Sequence, residues 1–161
     1  MTELSVSYIL SRNEIGFLID CFPSVEATDV GRILQVRFRE QLSEISSAMD
    51  GLIYKKLAQN EAGRITFHPV ALLLAENCLR AIEVLYLVES ESGLHAYIIK
   101  AERLWILIED YPMEPDAVRI TPVPGEKAMA DLISKKTYTS VEAWNSVETK
   151  INMKHGVMDI E

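Results

Sequence analysis

Between Pro69 and Asp110 apolar stretches are broken by short polar interruptions, a pattern that predicts one helix followed by three strands. The helix reads VALLLAENCLRA. The strands read IEVLYLVES, LHAYIIKAE and RLWILIED, with a turn at Glu91-Ser92-Gly93 between the first two. Strand side chains alternate, so Ile82, Val84, Tyr86 and Val88 share one face and Leu85 and Leu87 the other. Trp105 and Leu107 likewise oppose Leu104, Ile106 and Ile108. Strands apolar on both sides belong in the middle of a sheet that is covered on both faces.

Ahead of this block, Leu4 to Leu10 alternates as a short strand. Ser11-Arg12-Asn13-Glu14 is a capping box, because the serine oxygen can accept an orphan amide while Glu14 reaches back. Ile15, Leu18, Ile19 and Phe22 follow at helical spacing, and Pro23 ends the segment. Thr28 and Asp29 offer a second cap. Behind them Val30, Leu34, Phe38, Leu42, Ile45 and Met49 trace one stripe, which predicts a single long helix stopped at Asp50-Gly51. Leu34, Val36 and Phe38 also alternate, so a strand competes locally. Leu52–Leu57 and Arg64–Phe67 predict a hairpin around Gln59–Gly63. Pro69 suits the first helical turn, where its missing amide is no loss, and His68 before it is a turn or cap residue.

After the third strand comes an acidic, proline-punctuated loop, Tyr111 to Asp116, and then a strand over Ala117–Val123. Pro122 and Pro124 suit only the end of that strand or a sheet edge. Gly125 to Lys136 is predicted helical through Met129, Leu132 and Ile133. Thr139 or Ser140 caps a last helix lined by Val141, Trp144, Val147 and Ile151. The expected fold is one α+β domain over residues 1–155 with a frayed tail at 156–161. Its central sheet is mostly antiparallel, a meander over about residues 82–123 with helices packed on it, preceded by a winged-helix-like helix–helix–hairpin portion.

Composition narrows the function classes. The 161 residues carry a formal charge of −8, which opposes a nucleic-acid surface, since that needs a concentrated positive field. The cations that do cluster, Arg32, Arg37, Arg39, Lys55, Lys56 and Arg64, lie in the first half. Cys21 and Cys78 sit singly in apolar helical patterns, as reduced buried thiols do. No signal-peptide pattern opens the sequence and no apolar run approaches the ~20 residues of a membrane span, so a cytoplasmic protein without a membrane partner is expected.

Chemistry is sparse. His68, His95 and His155 are far apart, and neither a nucleophile elbow nor a glycine-rich phosphate loop is present. The expectation is therefore no catalytic residue, no cofactor and no metal. Glu109, Asp110, Glu114 and Asp116 form the nearest thing to a site, an acidic loop of the kind that serves as a solvated connection or docking surface. Trp144 has two readings, an anchor of the last helix on the sheet or an exposed anchor for a partner. Trp144, Tyr97, Glu109 and Asp110 are the candidate partner-binding residues.

The order of segments resembles the EspG-type chaperones and related ESX (type VII) secretion-associated proteins. The matching positions are Leu10 and Glu14 for an L-x-x-x-E first helix, and Gly51 and Leu52 for a GL hairpin. Gly63, Ile65, Phe67 and Pro69 match a g-x-l-x-l-x-P connection into the meander. The resemblance covers roughly residues 4–110. It implies a non-enzymatic accessory factor or chaperone that binds a small helical secreted protein or its toxin partner. A second copy of the chain is, separately, a further candidate partner. The alternative is a winged-helix-like DNA-binding regulator that uses the first-half cations as phosphate contacts.

Overall fold

The computed structural model describes residues 6–22, 26–114 and 116–143, with side chains through Thr139. The elements are β1 (Tyr8–Ser11), α1 (Arg12–Asp20), α2 (Asp29–Arg39), α3 (Ile45–Tyr54), β2 (Ala58–Glu61), β3 (Arg64–Phe67) and α4 (Pro69–Leu79). They continue with β4 (Glu83–Glu89), β5 (His95–Lys100), β6 (Trp105–Asp110), β7 (Ala117–Val123), α5 (Glu126–Ser134) and β8 (Tyr138–Ala143). Six strands form one sheet in the order β1-β7-β6-β5-β4-β8, antiparallel throughout, and β2 and β3 form a separate ribbon. The α+β class and the meander are as the apolar pattern predicts.

Both sheet faces are covered. Val84, Tyr97, Ile99, Ile106, Ile108 and Val118 meet Leu18, Ile19, Leu34, Phe38, Leu74 and Leu79 from the N-terminal helices. On the opposite face Leu87, Ala96, Ile98, Leu107 and Val123 meet Met129 of α5. Each fully buried Leu or Ile contributes on the order of 1.5–3 kcal/mol, so the two layers hold most of the folding free energy. Pro122 sits within β7, which is an interior strand, but it lies past the last rung to β1 at Tyr8–Ile120 and so removes no ladder bond there.

The long second helix does not form; α2 and α3 are separate, and three helices precede the hairpin rather than two. The cause is Asn13. Its Oδ1 accepts from the amides of Ser43 (2.8 Å) and Glu44 (3.1 Å), and its Nδ2 donates to the Glu44 carbonyl at 3.0 Å. These bonds satisfy the backbone outside a helix at the point where the stripe would have continued. Nor does Asp50-Gly51 stop α3. Gly51 lies inside the helix, where a Cβ would stand 1.8 Å from Oε2 of Glu14. The stop is Lys56, left-handed at φ 65, with Leu57 N–H donating to the Leu52 carbonyl at 2.9 Å. The first hairpin strand is therefore Ala58–Glu61 rather than Leu52–Leu57, and it turns on Ala62 and Gly63, both at positive φ.

The predicted caps are present. Ser11 and Glu14 close the capping box, Thr28 accepts from the Gly31 amide, and His68 Nδ1 accepts from the Val70 amide ahead of Pro69. The predicted last helix is overturned at its start. Thr139 and Ser140 belong to β8, which pairs with β4 from Glu89 to Leu85 and supplies the neighbour that an apolar interior strand requires. Trp144, Val147, Ile151 and the 156–161 tail lie outside the described residues. No helix among the described residues is long and apolar enough to cross a membrane.

Candidate functional site

Glu109 and Asp110 end β6, and strand alternation sends their side chains to opposite faces. Glu109 turns toward the α5 face and is 4% exposed. Its Oε2 accepts from Tyr138 Oη at 2.9 Å and pairs with Lys136 Nζ at 3.1 Å. Its Oε1 receives no hydrogen bond, and Arg119 Nη1 stands 4.0 Å from it. Arg119 faces Glu109 across the β6–β7 ladder, and its guanidinium lies over the Tyr111 ring, 5.3 Å from the centroid. Burial, and then the charge of Glu109, push the Tyr138 phenol above its ordinary range, so it stays protonated and donates.

Asp110 anchors the other side. Its Oδ1 pairs with Arg12 Nη2 at 3.1 Å and its Oδ2 accepts the His95 amide at 3.0 Å. Arg12 also reaches Asp116 at 3.3 Å, fastening the β6–β7 loop to the start of α1. His95 bonds the Tyr86 hydroxyl, whose pKa is pushed up to about 12 by burial and then by the charge of Asp110.

Between the β6–β7 loop and the α5–β8 link lies a cleft of about 380 Å³. Glu109, Arg119 and Tyr138 form its floor and wall, Lys135 and Glu89 its rim, and Met113, 80% exposed, its outer lip. Glu89 accepts from Ser92 and Thr137, which lower its pKa in that order. A larger cleft of about 510 Å³ lies at the far end of the sheet beside Ile82. Among its polar side chains Arg80 pairs with Glu76 (3.5 Å) and Asn77 Nδ2 donates to the Leu73 carbonyl (2.8 Å). The smaller cleft is the candidate site because it holds the buried oxygen without a donor.

Of the four sequence candidates, the structure brings Glu109 and Asp110 to this cleft. Tyr97 is corrected: it is 1% exposed, packed 5.6 Å from the Tyr86 ring under the helical layer, because position 97 falls on the apolar face of β5. Trp144 is outside the described residues. Among the described residues no three His, Cys, Asp or Glu side chains gather as metal ligands. Half of the first-half cations are spoken for: Arg37 pairs with Glu40, Arg39 with Asp20 and Lys55 with Glu14. Arg119, Lys135, Lys136 and Tyr138 escaped the sequence reading. Counting the β6–β7 ladder outward from its loop would have found Arg119, but nothing local marks the other three. No protein-family model matches the chain, and no curated protein matches it.

Proposed function

We propose that the chain is a non-enzymatic binding protein, an accessory factor or chaperone of the type VII secretion class, which holds a small helical secreted partner at the Glu109 cleft. One observation carries the reading: a buried carboxylate whose hydrogen bonding is incomplete, set in a cleft with cations, an aromatic ring and an exposed methionine at its lip. Buried polar atoms are normally satisfied, so an orphan oxygen inside a cleft supports a site completed by something else. Methionine and aromatic side chains beside arginine are the usual makings of a recognition surface.

The test compares capture from the native cytosol by the wild-type chain and by the Arg119→Glu, Lys135→Glu double variant. The reading expects a small helical protein in near-equal amount with the first and its loss with the second. Equal recovery with both, or none with either, overturns it.

A further inference from the structure

The Glu109 cleft carries one surplus cation and is incompletely bonded, and the two facts together constrain what can enter it. Asp110 turns to the other face and is paired with Arg12, so Glu89 and Glu109 stand against Arg119, Lys135 and Lys136; the single surplus cation suits a monoanion better than a dianion such as a phosphate monoester. The unsatisfied groups are more informative than the total. Oε1 of Glu109 lacks a donor. Arg119 makes no closer polar contact to it than 4.0 Å, and its side chain is 40% exposed while it lies on Tyr111. Lys135 stands exposed at the rim of the same cleft.

An entering group must therefore offer an N–H to a carboxylate oxygen and an anion to a guanidinium a few ångströms away. The gap of 4.0 Å is too wide for a direct hydrogen bond, which wants about 2.9 Å. It can be spanned by a donor and an acceptor borne on one carbon. We propose that the cleft binds an α-carboxylate whose α-nitrogen carries a hydrogen, the chemistry shared by a peptide C-terminus and a free amino acid. The carboxylate is taken by Arg119 and Lys135, and the N–H by Oε1 of Glu109. The attached side chain then lies toward Leu94 and Met113, which favours an apolar residue.

An anion without the N–H would press its oxygens against the orphan carboxylate oxygen, so the pocket discriminates by repulsion as well as attraction. The proposal rests on the reading of this cleft as a recognition site and names the chemistry that it recognises.

The experiment titrates the intact chain with four probes while backbone amide shifts are followed by NMR. N-acetyl-leucine stands for a peptide C-terminus and free leucine for an amino acid. N-acetyl-leucine amide lacks the carboxylate, and 4-methylpentanoate lacks the nitrogen. Expected are saturable shifts around residues 109, 119 and 135–138 with one or both of the first two probes, and none with the last two. Preference for N-acetyl-leucine assigns the peptide terminus, and preference for leucine the amino acid. Arg119→Gln should weaken binding about tenfold, as expected for loss of a charge-assisted bond. Lys135→Gln, at an exposed position that leaves the fold intact, should weaken it several-fold. Equal binding of 4-methylpentanoate, equal binding of the capped amide, or no saturable shift with any probe overturns the proposal. If the probes fail while the Arg119→Glu, Lys135→Glu variant still loses a helical partner, the ligand chemistry falls and the recognition cleft stands.

Discussion

Gly31→Ala tests how closely α2 and α4 must approach. Gly31 lies inside α2, where alanine is the better helix former by about 1 kcal/mol, so local propensity alone predicts stabilisation. The structure predicts the reverse. A Cβ at position 31 would stand 1.7 Å from the Leu79 carbonyl oxygen and 2.4 Å from its carbon, both backbone atoms at the end of α4. Non-bonded contact needs about 3.5 Å, so α2 must retreat by something near 1.5 Å or more.

That retreat strains the bonds that hold the two helices together. Thr28 donates its amide to the Leu79 carbonyl at 3.0 Å, and its hydroxyl donates to the Ala81 carbonyl while accepting from the Gly31 amide. Losing two of them removes about 2 kcal/mol, and the disturbed packing of Leu34 and Phe38 adds about 1–3 kcal/mol. Net of the helix gain, the variant should be less stable by about 2–4 kcal/mol, a melting temperature lower by roughly 5–15 °C for a chain of this size. Thermal denaturation followed by far-UV circular dichroism reads this directly. Gly125→Ala is the control, since a Cβ there meets nothing within 4 Å. A Gly31→Ala variant melting within about 2 °C of the wild type would refute the reasoning.

Asn13→Ala should cost about 1–3 kcal/mol in urea denaturation and raise amide exchange at Ser43 and Glu44, because those amides lose the acceptor that holds the link between α2 and α3; unchanged exchange would argue against that role. Tyr86 has a folded pKa of about 12 against an ordinary value of 10.0, and Tyr138 shifts in the same direction. The unfolded chain therefore releases these protons first. Stability present at neutral pH should fall as pH rises through about 10 to 12, and Tyr86→Phe should flatten that fall in denaturant titrations. Cys78 is buried with its thiol pushed up to about 12, so in the native protein it should resist alkylation at mildly alkaline pH, reacting only as fast as the chain opens. Rapid labelling of Cys78 in native buffer would contradict its place in the core.

What the sequence made legible was local. The caps at Ser11, Thr28 and His68, the entry at Pro69 and the two-faced strands of the meander each depend on residues within a few positions of one another, and each stands in the structure. The misreadings share one cause. The break between α2 and α3 is made by Asn13, some thirty residues away, and Gly51 is small to admit Glu14 rather than to end a helix. Lys56 ends α3 in a left-handed conformation for which glycine is the usual signal. Thr139 and Ser140 read as a cap until β4 is seen to need a neighbour. The cleft follows the same rule: Glu109 and Asp110 were conspicuous as acids, but the partners that make Glu109 a site arrive from β7 and from the link into β8. Tyr97 could not be told from a surface aromatic until the helical layer was placed over it.

Site-specific photo-cross-linking reads whether partners are held at the Glu109 cleft. A benzophenone side chain is placed either at Met113, on the lip of the cleft, or at Tyr54, 86% exposed at the end of α3. Each chain is then irradiated in an extract of its native cells. Recognition at the cleft should join one small helical protein through position 113 and none through position 54. Cross-links to the same protein from both positions, or from position 54 alone, would contradict it.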